Sequence, residues 1–282
     1  MLSPLPMTKL PRSLLGSARA LLAPERPVET EALELSAMTL NIGAAAAPRA
    51  EAILEWVAAR GDDVVVLTET SGGPGTRLLV AGLAECGYAV REMLPEGVRD
   101  RGVLVASRLP VHQVFRTRID VTLPWRAVGM VLDTDPRVAV LGVYVPSRDR
   151  SPVKVARKEQ FIDSFLASVG RLPGSLRGRL LVVGDYNVVR REHEPWLPGF
   201  FDYEYRLHEE LERLGFAAAH DLDGHSVHPH SWIGRTGTGY LYDYVHVGSA
   251  LHDHVDHCAY LHEPRTTRLS DHAAVEVRLR LR

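Results

Sequence analysis

The stretch Asp63-Val64-Val65-Val66-Leu67-Thr68-Glu69 is a continuous apolar run closed by a carboxylate. Such a run suits a short strand buried on both faces, and an ionised carboxylate at its end is costly unless something compensates it. The same design recurs along the chain. Leu35-Ser36-Ala37-Met38-Thr39-Leu40-Asn41 ends in an amide. Leu180-Leu181-Val182-Val183 runs into Gly184-Asp185-Tyr186-Asn187. Tyr242-Asp243-Tyr244-Val245 opens another run, and Leu269-Ser270-Asp271-His272-Ala273 precedes the last one. Five short apolar runs with polar ends predict a buried sheet with one polar site at one rim. Thiol-free, oxygen-rich groups of this kind suit a hard divalent cation and a phosphate ester.

The remaining pattern frames those runs. Strands are expected at 35–42, 64–68, 88–93, 102–106, 111–116, 127–132, 138–145, 180–183, 241–247, 255–261 and 273–280. Helical spacing is expected at 48–60, with Pro48 suited to a first turn, and near 76–86, 152–169 and 204–214. The close spacing of many strands predicts hairpins and antiparallel pairing. Helices mixed with hairpin strands give an α+β chain, with two packed sheets inside and helices outside. Residues 1–34, rich in Pro, Ala and Arg, are expected to be a loosely ordered lead-in, and 35–282 a single catalytic domain.

Composition narrows the partners. The chain has 282 residues, 45% hydrophobic and 24% charged, with 33 basic and 35 acidic side chains. That balance excludes a strong overall basic footprint for nucleic acid, so nucleic-acid binding has to be argued from the site. The two cysteines, Cys86 and Cys258, lie far apart, with no zinc-type spacing. No apolar stretch reaches the roughly 20 residues of a bilayer span. We expect a cytoplasmic protein without an obligate protein partner.

Phosphodiester cleavage needs a cation, a group that deprotonates water, and donors for the transition state, and each has a candidate. Glu69 is the metal carboxylate, with Asn41 ligating beside it or holding it. Asp185 and Asn187, two apart, face the same way if the chain stays extended: the acid takes a proton from water and the amide donates to a phosphoryl oxygen. Asp271 reaches the metal, and its neighbour His272, held by Asp243, donates to phosphate. Tyr144 adds a phenol at another strand end. Arg148, and Arg235 in Gly234-Arg235-Thr236-Gly237-Thr238-Gly239, are candidate phosphate contacts. The His252–His257 cluster reads as solvated loop and edge-strand residues.

In this order, Thr39-Leu40-Asn41-Ile42, Leu67-Thr68-Glu69-Thr70, Gly102 to Ser107, Tyr144-Val145-Pro146, Gly184-Asp185-Tyr186-Asn187, Tyr242-Asp243-Tyr244 and Ser270-Asp271-His272 resemble the endonuclease/exonuclease/phosphatase superfamily. Tyr144-Val145-Pro146 and His230-Ser231-Trp232 are most similar to its exonuclease III and apurinic-endonuclease branch. The resemblance implies a four-layered α/β sandwich and Mg²⁺ or Mn²⁺ held chiefly by Glu69, with Asn41 and Asp271 nearby. It further implies Asp185 as base, Asn187 and Tyr144 on the phosphate, a His272 oriented by Asp243, Trp232 as a substrate contact, and DNA as substrate. Three positions depart from that branch: Gly43 stands where it often carries an acid, Ser147 where it favours Asn, and a Gly/Thr-rich run follows Trp232. RNA, a small or lipid phosphoester, and a binding protein with a retired site remain the alternatives.

Overall fold

The computed structural model describes residues 32–92, 95, 100–114, 119–224 and 230–281. The expected lead-in therefore lies almost wholly outside the described residues. The first half of the chain forms β1 (Leu33–Asn41), α1 (Ala47–Arg60), β2 (Val64–Thr70), α2 (Pro74–Glu85), β3 (Ala89–Glu92), β4 (Gly102–Ser107), β5 (Val111–Val114), β6 (Ala127–Leu132) and β7 (Ala139–Tyr144). The second half forms α3 (Pro152–Arg171), α4 (Gly174–Arg177), β8 (Leu180–Asp185), α5 (Asp202–Arg213), β9 (Phe216–Ala218), α6 (Ala219–Leu222), β10 (Trp232–Ile233), β11 (Gly239–Tyr240), β12 (Asp243–Gly248), β13 (Val255–Leu261), α7 (Glu263–Thr266) and β14 (Ala274–Leu281). Every strand and long helix expected from the apolar pattern is present. The pattern missed β9, β10 and β11, which are two or three residues long and too short to show a period.

Two six-stranded sheets run in the orders β13-β14-β1-β2-β4-β3 and β5-β6-β7-β8-β12-β9. Most pairs are antiparallel, as expected. Each sheet also has one parallel pair at its middle, β1 with β2 and β7 with β8. Parallel neighbours need a long crossover, and α1 and α3 supply it. This fixes the site: the C-terminal ends of β1, β2, β7 and β8 carry Asn41, Glu69, Tyr144 and Asp185. The antiparallel neighbours β12 and β14 reach the same rims with their N-terminal ends, which bring Asp243 and His272.

The layers follow from which faces are apolar. Val66, Val103 and Val105 of one sheet meet Met130, Val140 and Val183 of the other. Ile53, Val57, Leu79 and Leu83 of α1 and α2 cover the first sheet's outer face, and Phe161, Phe165, Leu207 and Leu211 of α3 and α5 cover the second's. The result is the four-layered sandwich, with both central sheets dry.

Gly184 is the tight point next to the site. Its φ is 146°, and a Cβ there would stand 2.0 Å from the Val143 carbonyl oxygen of the parallel neighbour. Gly184→Ala should therefore destabilise the fold by about 2–3 kcal/mol. Urea unfolding measures this, and an unchanged midpoint would refute it.

Candidate active site

The site is built around two buried carboxylates. Asp243 and Asp185 are paired directly across β12 and β8, and neither is accessible to solvent. Burial, and then the charge of Asp243, push the Asp185 carboxyl well above its ordinary value. His272 lies between the acids, with its Nδ1 2.7 Å from Asp243 Oδ2. Burial opposes an imidazolium there, but Asp243, by charge and hydrogen bond, outweighs it and raises His272 to about 10. The ring is therefore charged at neutral pH and donates Nδ1–H to Asp243, which leaves Nε2–H as its other donor. His272 is among the residues lining the cleft.

The remaining donors converge on the same acids. Asn41 Nδ2 donates to Asp185 Oδ2 at 2.8 Å and to Glu69 Oε1 at 3.1 Å. The Asn187 main-chain N–H donates to Asp185 Oδ1 at 2.8 Å, and its amide Nδ2 lies 3.0 Å from the Val145 oxygen and 3.3 Å from Asp185 Oδ2. Tyr144 donates its hydroxyl to Glu69 Oε1 at 3.1 Å, and burial raises its pKa. Two of these residues hold unusual backbone: Glu69 has φ 56° and Asn187 has φ 50°. Glu69 stands where the pairing of β2 with β4 is bulged, between Thr68 and Thr70. A left-handed residue at a bulge turns its side chain out of the strand's alternation, and Glu69 lines the cleft instead of the core.

Two serines tie the segments together. Ser270 donates its hydroxyl to the Asn41 carbonyl at 2.5 Å and accepts from the His272 N–H at 3.0 Å. Ser231 Oγ accepts the N–H groups of Tyr242 and Asp243, while its carbonyl accepts from Ala273. Neither was singled out from sequence, although both neighbour motif residues, because a tie between distant segments has no local signature.

The cleft above these groups has a volume of about 450 Å³. Glu69, Asn187, Asp271 and His272 line one part of it, and Trp232, Tyr240, Tyr242 and Phe200 form an aromatic wall. The three rings of Trp232, Tyr240 and Tyr242 stand 5.3–5.9 Å apart, centroid to centroid. The wall was not foreseen, because the Gly/Thr run after Trp232 closes a hairpin that returns Tyr240 beside it.

Two of the expected site residues have partners, and a third a place, that the sequence does not show. Asn41, expected either to ligate the metal or to hold Glu69, takes the holding position: its Oδ1 accepts the Gly43 N–H at 2.8 Å and its amide hydrogens face Glu69 and Asp185. Arg148 was expected on phosphate. It lines the cleft, but its guanidinium pairs with Glu204, donates to the Gly199 carbonyl and covers the Phe201 ring. Arg235 is exposed in the β10–β11 turn and is not among the cleft-lining residues.

The residues fit a divalent cation. Glu69 Oε1 is taken by Asn41 and Tyr144, which leaves Oε2 available, and the exposed Asp271 lines the same cavity with Oδ2 accepting from Trp232 Nε1 at 3.1 Å. Oxygen donors of this kind suit Mg²⁺ or Mn²⁺. Asp185, Asp243 and His272 also bring ligand-type atoms within 4.8 Å of one another. These three are engaged by close hydrogen bonds to each other, to Asn41 and to Asn187, whereas Glu69 and Asp271 line the open cleft. The His252–His257 cluster forms no third candidate among the described residues: His252 and His254 bond to main-chain oxygens.

Carboxylates, an imidazolium and amides converging on a cleft at the rim of paired sheets define a site for cleaving phosphoesters. The sequence model of the Endonuclease/Exonuclease/phosphatase family matches residues 38–272, and the chain belongs to that family of phosphoester hydrolases. Solved structures share the fold. An AP endonuclease from Archaeoglobus fulgidus is 17% identical with a TM-score of 0.71, over 86% of this chain and 98% of that one. A 3′-5′ exonuclease (NExo) from Neisseria meningitidis is 22% identical with a TM-score of 0.69, over 87% of this chain and all of that one. The AP endonuclease LMAP from Leishmania major is 19% identical with a TM-score of 0.70, over 88% of each chain. No curated protein matches the sequence significantly. Among the described residues, no helix is long and apolar enough to cross a membrane.

If Glu69 seats the cation, Mn²⁺ should raise the melting temperature of the wild type through preferential binding to the folded state. Chelator should reverse the rise, and Glu69→Gln should abolish it. An equal rise in the variant would move the cation to the buried Asp185–Asp243–His272 group.

Proposed function

We propose that this protein is a divalent-metal-dependent phosphodiester hydrolase acting on DNA, an endonuclease or exonuclease of exonuclease III type. The carrying observation is the buried Asp185–Asp243–His272 set bordering a cleft that Glu69 and Asp271 line with oxygen ligands. Ionised Asp185 takes a proton from water as the water oxygen bonds to phosphorus, and the ester P–O bond opposite breaks to release an alkoxide that takes a proton from solvent. The Asp185 pKa, raised to about 8, makes the ionised form a stronger base than an ordinary carboxylate and puts the base-competent form on the alkaline side of neutral. His272 Nε2–H donates to the phosphoryl oxygens, where negative charge grows, and the Asn187 amide, which rests on the Val145 oxygen and Asp185, joins it by giving up the Val145 bond. Asp243 keeps the imidazole charged and oriented. Mg²⁺ or Mn²⁺ on Glu69 and Asp271 would neutralise phosphoryl charge. The aromatic wall supports a nucleic-acid substrate, since bases and sugars pack on such rings. One solved relative by fold is a 3′ phosphatase, NExo from Neisseria, bound to a product DNA hairpin.

A cleft of about 450 Å³ is also large enough to hold a small phosphoester, which favours a second reading, a hydrolase of such esters on the same scaffold. A labelled duplex with one abasic site, an intact duplex and bis-p-nitrophenyl phosphate, each with Mn²⁺ and with chelator, separate the two. Metal-dependent cutting of either duplex supports the DNA reading; hydrolysis of the small ester alone supports the second. In whichever assay is positive, Asp185→Asn should lower turnover by about 10²–10⁴-fold with an unchanged circular dichroism spectrum. Full activity in that variant would eliminate Asp185 as the base.

A further inference from the structure

We infer that Lys158 is a positioning residue for the hydrolytic site: paired with Glu204, it holds the main chain of Asn187 in the conformation that presents Asn187 to Asp185. This rests on the phosphoester-hydrolase reading of the site.

Lys158 lies on α3 and is 1% exposed. Its Nζ stands 2.7 Å from Glu204 Oε1 and donates to the Asn187 carbonyl at 2.8 Å. Glu204, in the first turn of α5, is fully buried. Its other oxygen accepts from Arg148 and from the Phe201 N–H. One carboxylate thus joins α3, α5, the segment after β7 and the cleft wall at Phe200 and Phe201. A buried ammonium is costly unless it is paired and hydrogen-bonded, and burial pushes the Lys158 pKa down. A lysine meant only to fill space between α3 and α5 could be replaced by Leu or Met without that cost. Here its donors are spent on a carboxylate and on the carbonyl of a residue in the site.

The conformation of that residue gives the bond its use. Asn187 has φ 50°, a region that non-glycine residues hold only where their surroundings over-determine it. Lys158 fixes the peptide leaving Asn187, and the Asn187 N–H fixes the peptide entering it on Asp185. Between these two bonds the side-chain amide is held beside Asp185 and at the cleft. Lys158 and Glu204 border the cleft, but their charged atoms are buried and spent on each other and on these partners, so Lys158 acts through Asn187 rather than on the substrate.

The test is a double-mutant cycle on the full chain with Mn²⁺ and the substrate found active above. Lys158→Met should lower kcat by about 10–100-fold, the size of loss expected from a small misplacement, with KM within about twofold. In the Asn187→Ala background the same change should cost nothing further. Hydrogen exchange at the Asn187 amide should quicken in Lys158→Met while the β8 amides keep their protection. Losses that multiply in the double variant, an unchanged kcat, or unchanged exchange at Asn187 would overturn the inference. If Lys158→Met does not fold, Lys158→Gln replaces it, since it keeps a polar group between α3 and α5 while removing the ammonium that donates to the Asn187 carbonyl. If the wild type cleaves no phosphoester, the functional reading fails, and hydrogen exchange still decides whether Lys158 holds Asn187.

Discussion

Asp185 and Asp243 face each other across one register position of β8 and β12. Two carboxylates without solvent are costly to ionise together, because like charges at close range in a dry interior repel strongly and favour holding a proton. The arrangement around them answers that constraint. His272 contributes one positive charge. Asn41 and Asn187 contribute N–H donors to Asp185. Ser231 and Ser270 fix the peptides that carry Asp243 and His272. These donors offset the charge of the pair and tie the ends of β1, β8, β12 and β14 into one unit.

The sheets make that convergence possible. A purely antiparallel meander would send successive strand ends to opposite rims. Each sheet instead contains one strand–helix–strand crossover, which brings two C-terminal ends to the same rim. The antiparallel neighbours then deliver their starting residues there. The dry contact between the sheets, where Gly142 lies against Val66, Val103 and Val105, holds the two rims together. Local backbone completes the site at two points. Left-handed Glu69 turns a carboxylate into the cleft from an otherwise buried strand, and left-handed Asn187 turns back toward Asp185.

Much of this was legible along the chain. Apolar runs of four to seven residues with polar ends are a local pattern, and the strands appear where the pattern put them. Those polar ends gather at one rim, with Glu69, Tyr144, Asp185, Asn187, Asp243, Asp271 and His272 among them. The aromatic wall was not legible, because Tyr240 and Tyr242 reach Trp232 only after the β10–β11 hairpin closes. The Lys158–Glu204–Arg148 network was not legible either. Arg148 and Glu204 are separated by 56 positions, and a charged residue on a helix reads as a solvated face until another helix covers it.

The sequence by itself determined the α+β class, the placement of the long elements and the residue types collected at the rim, because burial period and strand-end polarity are written locally. Only the tertiary structure decided what each group faces. It turned the Asn41 amide hydrogens toward the acids and its oxygen toward Gly43, engaged Arg148 with Glu204, left Arg235 outside the cleft, and put a buried lysine on the Asn187 carbonyl. Side-chain direction and ion pairing depend on which distant segments pack together, and no periodicity within a segment encodes that.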